Sequence, residues 1–218
     1  MLLLAIDTST TAITVALRGD GLATSATVLD ARGHTEHVAP LVSRCLDTAR
    51  RTPADVTDVV VGTGPGPFTG LRVGIVTGTV FAHARGIPVH GVCSLDALAF
   101  DAALVVGDGE FVVATDARRK EVYWARYAAR SGVATRLTDP AVARPAELPD
   151  DVRSLPTAGR GPLLFPELFA HPLQHLDVQA GSVATLAEQR LAAGVAMPVE
   201  PLYLRRPDAL TTAERARS

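Results

Sequence analysis

Several short segments bring together side chains that could do chemistry. Asp7-Thr8-Ser9-Thr10 follows an apolar run and sets a carboxylate beside hydroxyls. That grouping can orient the water shell of a Mg²⁺ bridging phosphates. Turns that bind nucleotide in this way carry a glycine, which lets backbone N–H groups approach phosphate; this turn has none. Two readings stay open: Asp7 and Ser9 satisfy the turn's own backbone, or they retain weak nucleotide binding. The block from Gly62 to Gly74 feeds glycines toward a helix N-terminus, a place where phosphate can sit. It has no Walker Lys-Ser/Thr, its spacing is not GxGxxG, and Pro65 and Pro67 remove N–H donors. His171 and His175 are separated by Pro172 and lack a glutamate placed as in HExxH, so they read, like His34 and His37, as surface histidines. Ser9 has no G-x-S-x-G setting, and Cys45 lies on an apolar helical stripe, where a thiol is inert. No catalytic constellation and no metal site is expected. Arg118-Arg119-Lys120 reads as a solvated hairpin tip or as an RNA contact within an assembled complex.

The elements that must position these residues follow from periodicity. Leu2 to Ile6, Ile13 to Leu17 and Leu22 to Leu29 read as successive strands. A helix is expected from His37 to Arg51, where Val38, Leu41, Val42, Cys45, Leu46 and Ala49 form one stripe, with Pro40 near its first turn. Thr52-Pro53-Ala54-Asp55 reads as a single capped turn. A strand at Val59 to Val61, a helix from Thr69 to Arg85, a strand at Val89 to Val92 and a helix beginning at Ser94 complete the order βββ-α-β-α-β-α. The pattern then restarts: strands at Phe111 to Thr115, Val122 to Tyr127 and Val133 to Leu137, and later a helix from Val183 to Ala193. Residues 140–172 carry no clear period. This gives two lobes, 1–104 and 105–207, as in an internal duplication, and a polar tail, 208–218, expected to be disordered.

The second helix of this scheme places Gly70, Gly74, Gly78 and Ala82 at i+4 spacing on one ridge. Interior glycines cost roughly 1 kcal/mol each relative to alanine, so something must need the close approach they permit. Either the chain's own sheet and neighbouring helix use that approach, or a partner subunit's helix does.

The segments Asp7-Thr8-Ser9-Thr10 and Gly64-Pro65-Gly66-Pro67-Phe68-Thr69-Gly70-Leu71-Arg72-Val73-Gly74 resemble those of the TsaB (YeaZ) family, the tRNA threonylcarbamoyladenosine biosynthesis protein B group. Asp116 to Tyr123 resembles that family's second-lobe hairpin, and Pro201-Leu202-Tyr203-Leu204-Arg205 its terminal signature. The resemblance covers residues 1–127 closely and weakens from there to about 195. It implies an α/β fold of the actin/hexokinase/Hsp70-like (ASKHA) type, each lobe a mixed sheet with helices. It also implies a non-catalytic subunit that binds and stabilises a larger TsaD-type paralogue, which transfers the threonylcarbamoyl group to the adenosine beside the anticodon. A TsaE-type P-loop ATPase is the usual third member. In that paralogue a His-x-x-x-His pair holds a metal after the matching strand; here Ser94 and Leu98 occupy those positions. The partner contact is expected on the first-lobe helices, at or beside Leu41, Cys45, Gly70, Leu71, Gly74, Gly78, Phe81 and Ala82, with a homodimer through the same surface when the chain is alone. An ATPase or small-molecule kinase is the rival reading, with Asp7 and Asp116 around Mg-ATP.

Bulk properties fit that frame. The chain has 218 residues, 47% hydrophobic and 20% charged, enough for a core without a disulfide or metal staple. Cys45 and Cys93 form no CxxC pair and read as free buried thiols of a reducing compartment. The net charge of −2, with basic residues scattered, gives no basic face, so tRNA is expected to be met indirectly. The apolar start Met1 to Ile6 is stopped by Asp7 without a basic leader, and no stretch reaches bilayer length. The expectation is a cytoplasmic protein with no membrane contact and no cofactor beyond weak nucleotide.

Overall fold

The computed structural model describes residues 1–19, 21–30 and 33–205; the expected tail at 208–218 lies outside the described residues. The first sheet is built around β1 (Leu3–Asp7), whose residues are all buried. A strand covered on both faces needs no polar alternation. β1 runs antiparallel to β2 (Ala12–Gly19), which pairs antiparallel with β3 (Leu22–Leu29). On its other side β1 runs parallel to β4 (Asp58–Gly62), and β4 parallel to β5 (Val89–Val92), giving the order β3-β2-β1-β4-β5.

Two helices cover one face of this sheet, α1 (His34–Ala49) and α2 (Phe68–Arg85). Leu2, Leu4, Ile6, Val15, Val59 and Val61 point toward Leu41, Cys45, Leu46, Leu71 and Ile75 from these helices. α1 begins three residues before the expected start, and Pro40 lies past its first turn, on the exposed side. The Thr52 turn forms as expected, with Thr52 N–H and hydroxyl both donating to Asp55 Oδ2 at 2.7 and 2.9 Å.

The second sheet contains β6 (Gly109–Asp116), β7 (Val122–Arg130), β8 (Val133–Arg136), β10 (Pro156–Ala158) and β11 (His171–Pro172), in the order β11-β10-β6-β7-β8. β9 (Ala141–Ala143) pairs with β7 off this path. β6 and β7 are antiparallel, as are β7 and β8, while β10 is parallel to both β6 and β11. Read from β8 to β11, this sheet has the same order and strand directions as the first. The duplication expected from the pattern is therefore present at the level of topology. Residues 140–172 hold short pieces, among them α4 (Asp150–Arg153) and α5 (Gly161–Leu164). Such fragments have no period long enough to read from sequence.

Two longer helices lie between the sheets. α3 (Ser94–Val106) follows the first sheet but packs on β6, β7 and β8; α6 (Ala180–Ala192) follows the second but packs on β1 and β2. One core cluster joins Leu3, Ala5 and Val60 of the first sheet, Leu95 and Leu98 of α3, Val183 and Ala187 of α6, and Phe111 and Tyr127 of the second sheet. The expected lobe boundary at 104/105 falls inside the last turn of α3. After α6 the chain returns along the first lobe, where Gly91 N–H donates to Met197 O at 2.9 Å and Leu202 N–H to Thr63 O at 2.9 Å.

Candidate functional site

Asp7 closes β1 and is fully buried. Its Oδ1 accepts from the Ser9 N–H and hydroxyl at 2.8 and 2.7 Å, and its Oδ2 from the Ser94 hydroxyl at 2.6 Å. Ser94 Oγ in turn accepts from Gly64 N–H at 3.0 Å. Ser94 thus holds the Asp7 carboxylate, and Leu98 is packed in the core. Only a glycine leaves room beside this carboxylate at position 62, since a Cβ there would overlap Asp7 Oδ2. Burial pushes the Asp7 carboxyl above its ordinary range against the opposing hydrogen bonds from Ser94 and Ser9, and Asp177 adds to the rise. Thr8 is also turned inward: its hydroxyl donates to Gly70 O at 2.7 Å and accepts from Gly74 N–H at 2.9 Å.

Asp116 closes β6 in the equivalent place and accepts from Arg118 N–H at 2.7 Å. Between the two hairpins the Arg160 guanidinium grips Asp177 with two bonds, 2.8 and 2.7 Å. The space left there, bounded by Ser9, Thr10, Thr115, Asp116, Arg118 and Arg160, is about 10 Å³. That is room for no more than a single water; Asp116 lines this space and Asp7 does not.

The small-residue ridge faces inward, which corrects one expectation. A Cβ on Gly74 would stand 2.5 Å from Thr8 Oγ1, and one on Gly78 would overlap Val61. Gly70, Leu71, Gly74, Gly78 and Ala82 are buried against the chain's own sheet, as are Leu41 and Cys45 of α1, while Phe81 is half-buried. The glycines bring α2 close to β1 and β4, so a partner meets this helix beside the ridge, from the side where Phe81 is half-buried, rather than on it. The outward face of α2 lies two residues further along, about 200° around the helix. It carries Arg72, Val76 and Val80, with the valines 56% and 60% exposed, and Phe68 at its start, 39% exposed. The same i+4 spacing that marked the glycines marked this stripe, and the sequence reading used only the glycines.

A larger cleft, about 580 Å³, opens at the N-terminal end of α2. His34 and Thr35 of α1, Gly66 to Gly70, Ala117 to Arg119 of the β6–β7 tip, Tyr123, and Tyr203 to Arg205 line it. Tyr203 packs on Phe68 with ring centroids 5.0 Å apart, and the Arg72 guanidinium lies 4.4 Å from the Phe68 ring centre. Arg205 donates to Ala117 O at 3.0 Å and pairs with Glu121. The tip is unusual in its backbone: Arg118, Arg119 and Lys120 have φ of 62°, 54° and 62°, a left-handed conformation without glycine. Each such residue costs about 1–2 kcal/mol. Among the described cysteines, Cys45 is buried and donates to Val15 O at 3.5 Å, and burial pushes the Cys93 thiol up to about 11, so it stays protonated at neutral pH. No helix among the described residues is long and apolar enough to cross a membrane.

Two sheets of identical strand order, sharing a helical middle layer and each ending its first strand in an aspartate hairpin, define a two-lobed α/β protein of actin/hexokinase-like fold. A family model described as "TsaD: tRNA N6-adenosine threonylcarbamoyltransferase" matches residues 28–154, more than half of the chain. The chain is 33% identical to the tRNA threonylcarbamoyladenosine biosynthesis protein TsaB of Escherichia coli, covering 94% of this chain and 95% of that protein. It is 44% identical to the uncharacterized protein ML0378 of Mycobacterium leprae, over 95% of this chain but 56% of that longer protein. Among solved structures, YeaZ from Pseudomonas aeruginosa matches with a TM-score of 0.80 at 32% identity, covering 93% of this chain and 99% of that one. The chain belongs to the TsaB (YeaZ) family.

Proposed function

We propose that this chain is a non-catalytic subunit of a cytoplasmic assembly that forms threonylcarbamoyladenosine on tRNA, and that it docks a TsaD-type catalytic subunit. The observation that carries the reading is the outward face of α2. Val76 and Val80 stand open on a helix whose opposite face is committed to its own sheet. Exposed valines at i and i+4, with Arg72 and Thr35 of α1 beside them, form the small apolar patch that a helix–helix contact covers. The inward-turned Asp7, Thr8 and Ser94 leave the hairpin's polar atoms engaged with the protein itself, which supports a supporting rather than a catalytic role. When the catalytic subunit is absent, a second copy of this chain covers the same face, so homodimer and heterodimer compete. A TsaE-type ATPase completes the assembly, and the chain needs no resident cofactor.

The test is Val76→Asp with Val80→Asp. Both side chains are exposed, so the melting temperature should stay within about 2 °C of wild type. Sedimentation should show a monomer, co-purification of the catalytic subunit should be lost, and tRNA modification in a reconstituted mixture should fall at least tenfold. A doubly substituted chain that still co-purifies and supports modification at the wild-type rate would place the contact elsewhere.

A further inference from the structure

We propose that the cleft at the N-terminal end of α2 holds an unpaired nucleotide of RNA, its base against the Phe68–Tyr203 pair and its phosphates against Arg118, Arg119 and Lys120. The inference rests on the reading of the chain as part of an RNA-modifying assembly, and it departs from the expectation that tRNA is met only indirectly. Among the described residues the cleft of about 580 Å³ is lined by three arginines and His34 and by no carboxylate, although the whole chain carries a net charge of −2. Asp116 and Glu121 stand behind this wall, where they pair Arg118 and Arg205. A paired guanidinium keeps further N–H donors for an incoming phosphate, so these acids fix the arginines' direction without consuming them. α2 begins at the cleft with Pro67 as its cap residue, no side-chain cap and no acid in its first turn, so its positive end adds to the field.

The aromatic component decides the kind of anion. Phe68 and Tyr203 are 39% and 41% exposed, and their rings, inclined 41° to each other, form an apolar surface inside a cationic rim, each ring offering its own face to a base. Aromatic side chains beside arginines are how unstacked bases are taken up from single strands and loops. Arg119 and Lys120 are exposed at the tip, and Lys120 lies beyond the cleft's lining. The cationic surface thus continues past the cleft, which suits a chain of phosphates. The left-handed tip supplies the last observation. Three successive residues keep a conformation that glycine would take without strain, and their shared property is charge.

The probe is a short RNA stem-loop with an unpaired adenosine-containing loop, titrated against the full chain alone at low salt and read by fluorescence anisotropy. Wild type should bind with an affinity that falls as salt rises. Arg119→Ala with Lys120→Ala should weaken binding about tenfold and lower the slope of log affinity against log salt by about 0.7 per lost phosphate contact. Tyr203→Leu should weaken binding roughly tenfold and leave the salt slope unchanged. A duplex RNA of the same length should bind no more tightly than the Tyr203→Leu chain binds the loop. Absence of binding by the wild type, or variants that bind with wild-type affinity and slope, overturns the proposal. So does AMP displacing the loop at equal concentration, which would make the cleft a small-molecule site. Co-purification of the catalytic subunit is scored separately: if it fails while loop binding behaves as stated, the assembly reading falls and the RNA site stands.

Discussion

Asp7 shows how little of a residue's role its type reveals. Its place at the end of the first strand was legible in sequence, and so was the absence of glycine in its turn. That Ser94 would bind it was not, because the two lie 87 residues apart and meet only when β1 and α3 are assembled. The raised carboxyl gives a test at this scale. A folded-state value above the ordinary 3.8 means that stability from the neutral form is fully present below that pH and is lost as pH rises through the raised value. Asp7→Asn mimics the neutral acid, so wild type should gain stability relative to Asp7→Asn as pH falls from 8 toward 4, measured by urea melts. The opposite slope would mean that the carboxylate is held ionised. Asp7→Ala leaves Ser9 and Ser94 donors unpaired in the core and should cost about 2 kcal/mol or more at every pH.

At the scale of the element, α2 carries the clearest lesson. Its existence, bounds and small-residue ridge were all readable, yet the ridge alone does not say which neighbour comes close. The structure answers with the chain's own strands: Val61 of β4 fills the place beside Gly78 and Thr8 the place beside Gly74. Gly78→Leu should therefore destabilise the isolated chain by about 3 kcal/mol or more through overpacking, seen as a lower urea midpoint before any partner is added. A variant that melts like wild type and merely fails to bind would return the ridge to the interface. The elements of residues 140–172 escaped sequence reading for a different reason. Pieces such as Pro156–Ala158 and Gly161–Leu164 are too short to show a period and are set by contacts with β6.

For the whole molecule, the repeated βββ pattern gave the two lobes, and the identical strand orders bear that out. The exchange of α3 and α6 was not visible, since both are short apolar helices with nothing in sequence to say which sheet they cover. With one core cluster spanning both sheets, the chain should unfold in a single transition. Far-UV circular dichroism reports all elements, and Trp124, the sole tryptophan, reports the second sheet. The two curves should coincide, and residues 1–104 expressed alone should show no cooperative melt. Separate transitions would mean that the lobes are independent.

The exchange also sets an order on synthesis. As the chain leaves the ribosome, the first sheet and its α1–α2 cover emerge early, but the face carrying Leu3, Ala5 and Val60 stays bare until α6 has been made. Domains ordinarily fold from the N-terminus as they emerge; here the first sheet waits for α6, the last helix among the described residues, to complete its cover. The nascent first half is a sheet with one dry face and one wet face. That wet face is covered only once residues 93–192 have also been made, and until then it is a surface for chaperones.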